Sequence, residues 1–172
     1  MKFMITLSLL LCSFSSSANY VLENINVSSK DVICSDKVGI GSTVTILSNG
    51  GELSEAYLAG KCIRDKKVKL VVMKALSAAS YLVLFSDNVC LLSSSDVGTH
   101  TPYLDPNNVK IDETRGILRS LFLTLVDDAK ITPQHALQYI GFMILIPSIE
   151  MGSIPSEIYI EMLGDKYKGM CK

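Results

Sequence analysis

Cys62 and Cys90 bracket the most apolar internal stretch of the chain, Cys-Ile-Arg-Asp-Lys-Lys-Val-Lys-Leu-Val-Val-Met-Lys-Ala-Leu-Ser-Ala-Ala-Ser-Tyr-Leu-Val-Leu-Phe-Ser-Asp-Asn-Val-Cys. From Leu70 to Phe85 almost every residue is apolar or small, with no polar face at helical spacing. A helix apolar all round is buried in a protein core or in a membrane. Lys69 and Lys74 interrupt any window long enough to span a bilayer, so a core position is favoured over a membrane. The stretch predicts a central helix over residues 64–87. Its small residues, Ala75, Ser77, Ala78, Ala79 and Ser80, would let a neighbouring element approach closely.

A helix of that length restricts the disulfides. Its ends would lie about 35 Å apart at 1.5 Å per residue, whereas bonded cysteines need Cα atoms within about 7 Å. Cys62 and Cys90 therefore should not pair with each other. Two pairings remain for Cys34, Cys62, Cys90 and Cys171: Cys34–Cys62 with Cys90–Cys171, or Cys34–Cys90 with Cys62–Cys171. The first closes the shorter local loop and is preferred. No Cys-x-x-Cys spacing suggests a zinc site or a redox pair.

Four cysteines read as two disulfides only in an oxidising compartment, and the N-terminus agrees. Residues 1–18 carry Lys2, an apolar run from Phe3 to Cys12, and a small polar end with Ser16 and Ala18 placed for a cut before Asn19. That is the pattern of a secretory signal, and its apolar run is too short to span a membrane. The expected product is a periplasmic or secreted chain, 19–172, forming a single α-rich domain. Acidic residues number 17 against 16 basic, with no basic stripe, so nucleic acid is a poor partner and an anionic membrane surface little better.

The expected fold is mainly α, with about five helices packed around the central helix 64–87 and a short strand-like section over 20–47. The β-branched run from Val38 to Leu47 favours a strand, and Gly39 and Gly41 read as a turn into it rather than as a phosphate loop. Asn49 and Glu52 have capping-box spacing for a first helix that ends near Gly60. Ile117, Leu118, Leu121, Phe122 and Leu125 mark the core face of another helix, one that starts near Asp112. Thr132 and Pro133 start a further helix that runs to about Pro147, and Ser153 and Pro155 start the last. Residues 86–110 are rich in turn formers and predict a long loop pinned by Cys90.

The visible chemistry is sparse. His100 and His135 have no ligand-spaced companions, so no metal or other cofactor is expected. His100 could act as a general base, but no sequence motif sets a nucleophile beside it. With no catalytic residues assigned, the chain reads as a non-enzymatic binding protein. Its partner would be another protein, met by the long loop through Asp96, His100, Tyr103 and Asp105.

Ala78-Ala79-Ser80-Tyr81, Cys90, the helices over Gly116–Val126 and Pro133–Leu145, and the terminal Cys171 follow one another in an order that resembles a known family. These are the small periplasmic, helical, disulfide-bonded immunity proteins that neutralise amidase effectors of type VI secretion. The resemblance implies an inhibitor that plugs a toxin's active-site cleft. The alternative is a periplasmic accessory component of a secretion or conjugation apparatus.

Overall fold

The computed structural model describes residues 20–101, 111–146 and 150–171. The signal-like residues 1–18 and the loop residues Tyr103 and Asp105 lie outside them.

The architecture is α/β, which corrects the expectation of a mainly α domain. Four parallel strands form the body of the sheet in the order β1 (Tyr20–Leu22), β2 (Thr43–Ser48), β3 (Lys69–Leu76), β4 (Val89–Thr99). Two short strands complete it on the free edge of β4. β5 (Gly152–Ser153) runs antiparallel beside Gly98 and Thr99, and β6 (Tyr167–Met170) runs parallel beside Val89 and Leu91. Helices fill the connections: α1 (Val27–Cys34), α2 (Leu53–Asp65), α3 (Ala78–Val83), α4 (Ile111–Leu123), α5 (Pro133–Leu145) and α6 (Ser156–Leu163). A π-helical turn, Thr124–Asp128, extends α4.

The central helix 64–87 does not exist as one element. Its span holds the end of α2, all of β3, a sharp turn at Ser77, and α3. Buried Leu70, Val72 and Ala75 of β3 alternate with more exposed positions, as a strand requires. Those exposed positions are also apolar in part, with Met73 of β3 and Leu47 of β2 each 41% exposed, so the hydropathy does not alternate with the pleat. The next element, α3, is buried on all sides from Ala78 to Val83. A strand with apolar residues on both faces, running straight into an all-buried helix, reads as one long apolar segment.

The predicted loop 86–110 is likewise strand for much of its length. β4 pairs with β3 at Val72↔Leu91 and again at Lys74↔Asp96, so three extra residues bulge out of β4 between the two registers. Ser93, Ser94 and Ser95 lie in this bulge, and a bulge accommodates turn formers that a regular strand would reject. In the first helix, Asn49 is not the cap. Glu52 takes that position without a side-chain bond, and the helix continues past Gly60 to Asp65. Gly60 is there for packing: a Cβ would come within 2.7 Å of the Phe85 ring. α5 begins as expected, with Thr132 Oγ1 accepting from the His135 N–H at 3.3 Å and Pro133 in the first turn.

Both disulfides take the preferred pairing. Cys34–Cys62 ties the end of α1 to α2, and Cys90–Cys171 ties β4 to the residue after β6. The helix-length argument that excluded Cys62–Cys90 falls with the helix. The end of α2, β3 and α3 now separate those two residues, and each is bonded to a different cysteine. Two disulfides suit an oxidising, exported environment. Among the described residues no helix is long and apolar enough to cross a membrane.

Candidate active site

In an open parallel sheet the chain leaves the carboxyl ends of the strands through loops, and ligands bind in the crevice those loops make. Here the carboxyl ends of β2, β3 and β4 lead into Asn49-Gly50-Gly51, Ser77 and His100 respectively. All three segments line one cavity of about 450 Å³, together with Ala78, Thr99 and Met143.

Ser77 is the sharpest feature of that cavity. It connects strand to helix in a single residue, with φ 52° and ψ −127°. A non-glycine residue in that region costs roughly 1–3 kcal/mol and persists only where its surroundings enforce it. The enforcement is visible. The Ser77 N–H donates to Gly98 O at 2.8 Å, its carbonyl accepts from the Ser80 N–H at 3.0 Å and the Ser80 hydroxyl at 2.8 Å, and Gly50 packs against its side chain. A Cβ on Gly50 would lie 2.6 Å from Ser77 Cβ, so only glycine lets the β2 loop come this near. A serine on a strained strand-to-helix turn is the arrangement that presents a hydroxyl for nucleophilic attack in hydrolases with a nucleophile elbow.

Ser80, three residues on, has the opposite character. It is fully buried, and its hydroxyl is committed to Ser77 O and to the Tyr139 hydroxyl, both at 2.8 Å. Tyr159 donates to the Ser80 carbonyl at 2.7 Å. Burial pushes the Tyr139 phenol up to about 12, against smaller opposing effects of the Ser80 and Thr99 hydroxyls. Ser80 is thus a structural pin beneath Ser77.

His100 enters the same cavity from the end of β4. Its Nδ1 lies 2.6 Å from the Thr101 carbonyl. A carbonyl only accepts, so Nδ1 carries a proton, and in the neutral ring the lone pair lies on Nε2. Thr101 is in turn held to the end of α5: its N–H donates to Ile146 O at 2.9 Å, and its hydroxyl lies 2.7 Å from Ile146 O and 3.0 Å from Met143 O. The imidazole therefore has a fixed tautomer on a fixed peptide.

Two backbone donors complete the arrangement. Gly51 faces Ile25 in a one-residue parallel bridge made by Ile25 N–H to Gly50 O and Glu52 N–H to Ile25 O. That bridge leaves the Gly51 N–H unpaired among the described residues. Ala78 is the first residue of α3, whose cap makes no side-chain bond, so its N–H is also open. Among the described residues no three His, Cys, Asp or Glu side chains gather as a metal site.

Of the two described residues expected to meet a partner, Asp96 and His100, only His100 lines the cavity. Asp96 is exposed on β4, opposite Lys74 of β3. Ser77, Gly50, Gly51 and Thr99 were not singled out as site residues by sequence. The available signals were the Gly-Gly pair after a β-branched strand and a serine between two apolar runs.

The class defined by these features is an open, mostly parallel α/β sheet with a pocket at the carboxyl ends of its central strands. No family model and no curated protein matches the sequence. Solved structures do match, among them a mutant of the membrane-bound, stomatin-specific protease 1510-N, with a TM-score of 0.60. That match spans 89% of this chain and 79% of the other at 13% identity, a likeness of fold alone.

Proposed function

We propose that the chain is an exported serine hydrolase that cleaves an acyl bond, an ester or a peptide, with Ser77 as nucleophile and His100 as base. The observation that carries this reading is Ser77 itself: a strained serine at a strand-to-helix turn, in one cavity with a histidine whose Nδ1 is already occupied.

In the proposed reaction Ser77 Oγ bonds to the substrate carbonyl carbon while its proton passes to His100 Nε2. The oxyanion is received by the N–H groups of Gly51 and Ala78. Collapse of that intermediate breaks the acyl bond, and the leaving alcohol or amine takes the proton from His100. Water then releases the acyl group by the same steps in reverse. The Thr101 carbonyl fills the place a carboxylate holds in a triad. It fixes the tautomer but supplies no full negative charge, so a modest rate is expected. Next to the cavity, Leu53, Tyr57, Tyr81, Ile117 and Leu121 line an apolar cleft of about 380 Å³ that suits an apolar substrate side chain. The fold likeness to a protease adds support, and the oxidising environment suits work in the periplasm or outside the cell.

A fluorophosphonate probe tests the reading. The purified chain should be labelled at Ser77, Ser77→Ala should abolish labelling, and His100→Ala should slow it by at least about 100-fold. Labelling that persists in Ser77→Ala would show the nucleophile to be elsewhere. A folded wild-type chain that takes no label and cleaves no ester would remove the hydrolase reading.

A further inference from the structure

The cavity at Ser77 opens into neighbours. Leu53 lines both it and the apolar cleft of about 380 Å³. Ser120 and Thr124 line both that cleft and a further hollow of about 300 Å³, which reaches Arg119 and Asp127. The three form one trough from the strand ends, past α2, to α4 and the π-helical turn. Sheet order orients this trough relative to the reacting groups. Ser77 follows β3, with Gly51 and Leu53 after β2 on one side and His100 after β4 on the other. In the proposed reaction His100 gives its proton to the leaving amine, so the leaving side lies toward β4. The acyl side then lies toward Leu53 and the cleft.

The hydroxyls inside the cleft are already committed. Tyr57 donates to Asp128 Oδ2 at 2.8 Å, and the Thr124 hydroxyl donates to Leu121 O at 2.9 Å while accepting from Tyr81 at 2.6 Å. The other two, on Ser54 and Ser120, belong to exposed residues. The Tyr57 ring is further held edge-on to the buried Phe85, with centroids 5.9 Å apart. A polar group deep in the cleft would lose water and gain no free donor, whereas an apolar one gains by the area it buries.

We infer that the substrate is a peptide lying along this trough with its acyl, N-terminal side toward α2, and that Leu53 and Tyr57 select a large apolar residue immediately before the cleaved bond. The residues preceding that one follow the trough toward Ser120. The inference rests on the assignment of Ser77 and His100, and extends it from the reacting groups to the choice and direction of substrate.

The test measures kcat/KM of the full chain on acetyl-Ala-Ala-X p-nitroanilides, with X as Ala, Leu, Phe, Glu or Lys, and on acetyl-Phe p-nitroanilide. Internally quenched peptides that vary the residue after the cleaved bond complete the set. Leu and Phe at X should exceed Ala by about 10–100-fold, and Glu and Lys should not. The two added alanines should raise the rate on Phe about tenfold, the value of one hydrogen bond. Ser120→Trp and, independently, Ser54→Trp fill the cleft from exposed positions and should bring the Phe-to-Ala ratio close to one. In a wild-type chain that takes the fluorophosphonate label at Ser77, three results would overturn the inference and leave the Ser77 assignment standing. These are equal rates across X, no gain from the added alanines, and a preference confined to the residue after the cleaved bond. A Phe-to-Ala ratio unchanged in both folded tryptophan variants would also overturn it. A folded wild-type chain that neither takes the label nor cleaves any of these substrates would overturn both.

Discussion

Gly51 stands where no other residue fits. Its φ is +146°, and a Cβ there would lie 2.0 Å from the carbonyl oxygen of Ile25. That oxygen is backbone, held by the bridge between Ile25 and the Gly50–Glu52 segment, so it cannot swing away as a flexible side chain would. Gly51→Ala is expected to destabilise the chain by about 2–4 kcal/mol and to disturb the open N–H that the proposed mechanism uses. Gly116→Ala is the contrast. Gly116 lies within α4 with nothing inside 4 Å of a built Cβ, so alanine should stabilise by about 0.5–1 kcal/mol. Urea midpoints of the two variants check both signs, and a Gly51→Ala chain as stable as wild type would mean the loop has another shape. At this scale the sequence displayed the right residue types but not their roles. His100 stood out as a general base because histidine is rare here. Ser77 did not, because what sets it apart is its φ and ψ, and in sequence it looks like Ser80, three positions away. Asn49-Gly50-Gly51 looked like the start of a helix because a helix cap and a tight loop draw on the same residue types.

The elements were less legible than the spacing of apolar residues suggested, and the errors share a cause. α5 was recognisable because Thr132 and Pro133 mark its start and its buried Ala136, Ile140 and Met143 recur at helical spacing. β3 was not, because Met73 and Val71 put apolar residues on the face that solvent reaches, and α3 follows with no polar face of its own. β4 was hidden by its serine-rich bulge. The cysteines were more informative than hydropathy, since pairing by loop length gave the right partners even though the helix-length argument failed. Cys90–Cys171 holds β6 against the start of β4, with Cys171 N–H donating to Leu91 O at 2.9 Å. Its two cysteines are 81 residues apart, so its loss should cost about 4–5 kcal/mol on the chain-entropy account. The cavity at the other end of the sheet is roughly 20 Å away, judged by the six steps of β3 from Leu70 to Leu76 that span the pairing from Val89 to Gly98. The double variant Cys90→Ser, Cys171→Ser should therefore lose stability in urea and yet, where still folded, take the fluorophosphonate label at Ser77 at a rate near wild type. A folded variant with a strongly reduced rate would mean that the two ends of β4 are coupled.

The whole molecule is held together around α3 by three buried phenols. Tyr81 bonds Thr124 in the π-helical turn at 2.6 Å, Tyr139 of α5 bonds Ser80 at 2.8 Å, and Tyr159 of α6 donates to the Ser80 carbonyl at 2.7 Å. Each is at most 1% exposed. Desolvation is the largest cause in every case, and it pushes Tyr139 up to about 12 and Tyr81 and Tyr159 upward as well. Unfolded tyrosine titrates near 10. A folded value above the unfolded one means that the stability each phenol contributes is fully present below about pH 10. It is then lost as pH rises through the folded value, because the unfolded chain releases its protons first. Stability should therefore be flat with respect to these groups from pH 7 to 9, then fall above pH 10 by about 1.4 kcal/mol per pH unit for each phenol that stays protonated in the fold. Tyr139→Phe should make that fall shallower by one phenol's share between about pH 10 and 12, while Ser80 keeps its bond to Ser77 O. Urea unfolding at a series of pH values, paired with a tyrosinate absorbance titration of the folded protein, measures both. If all seven tyrosines of the chain titrate near 10 while it remains folded, then water reaches these phenols, and the packing that fixes Ser77 from below is looser than described.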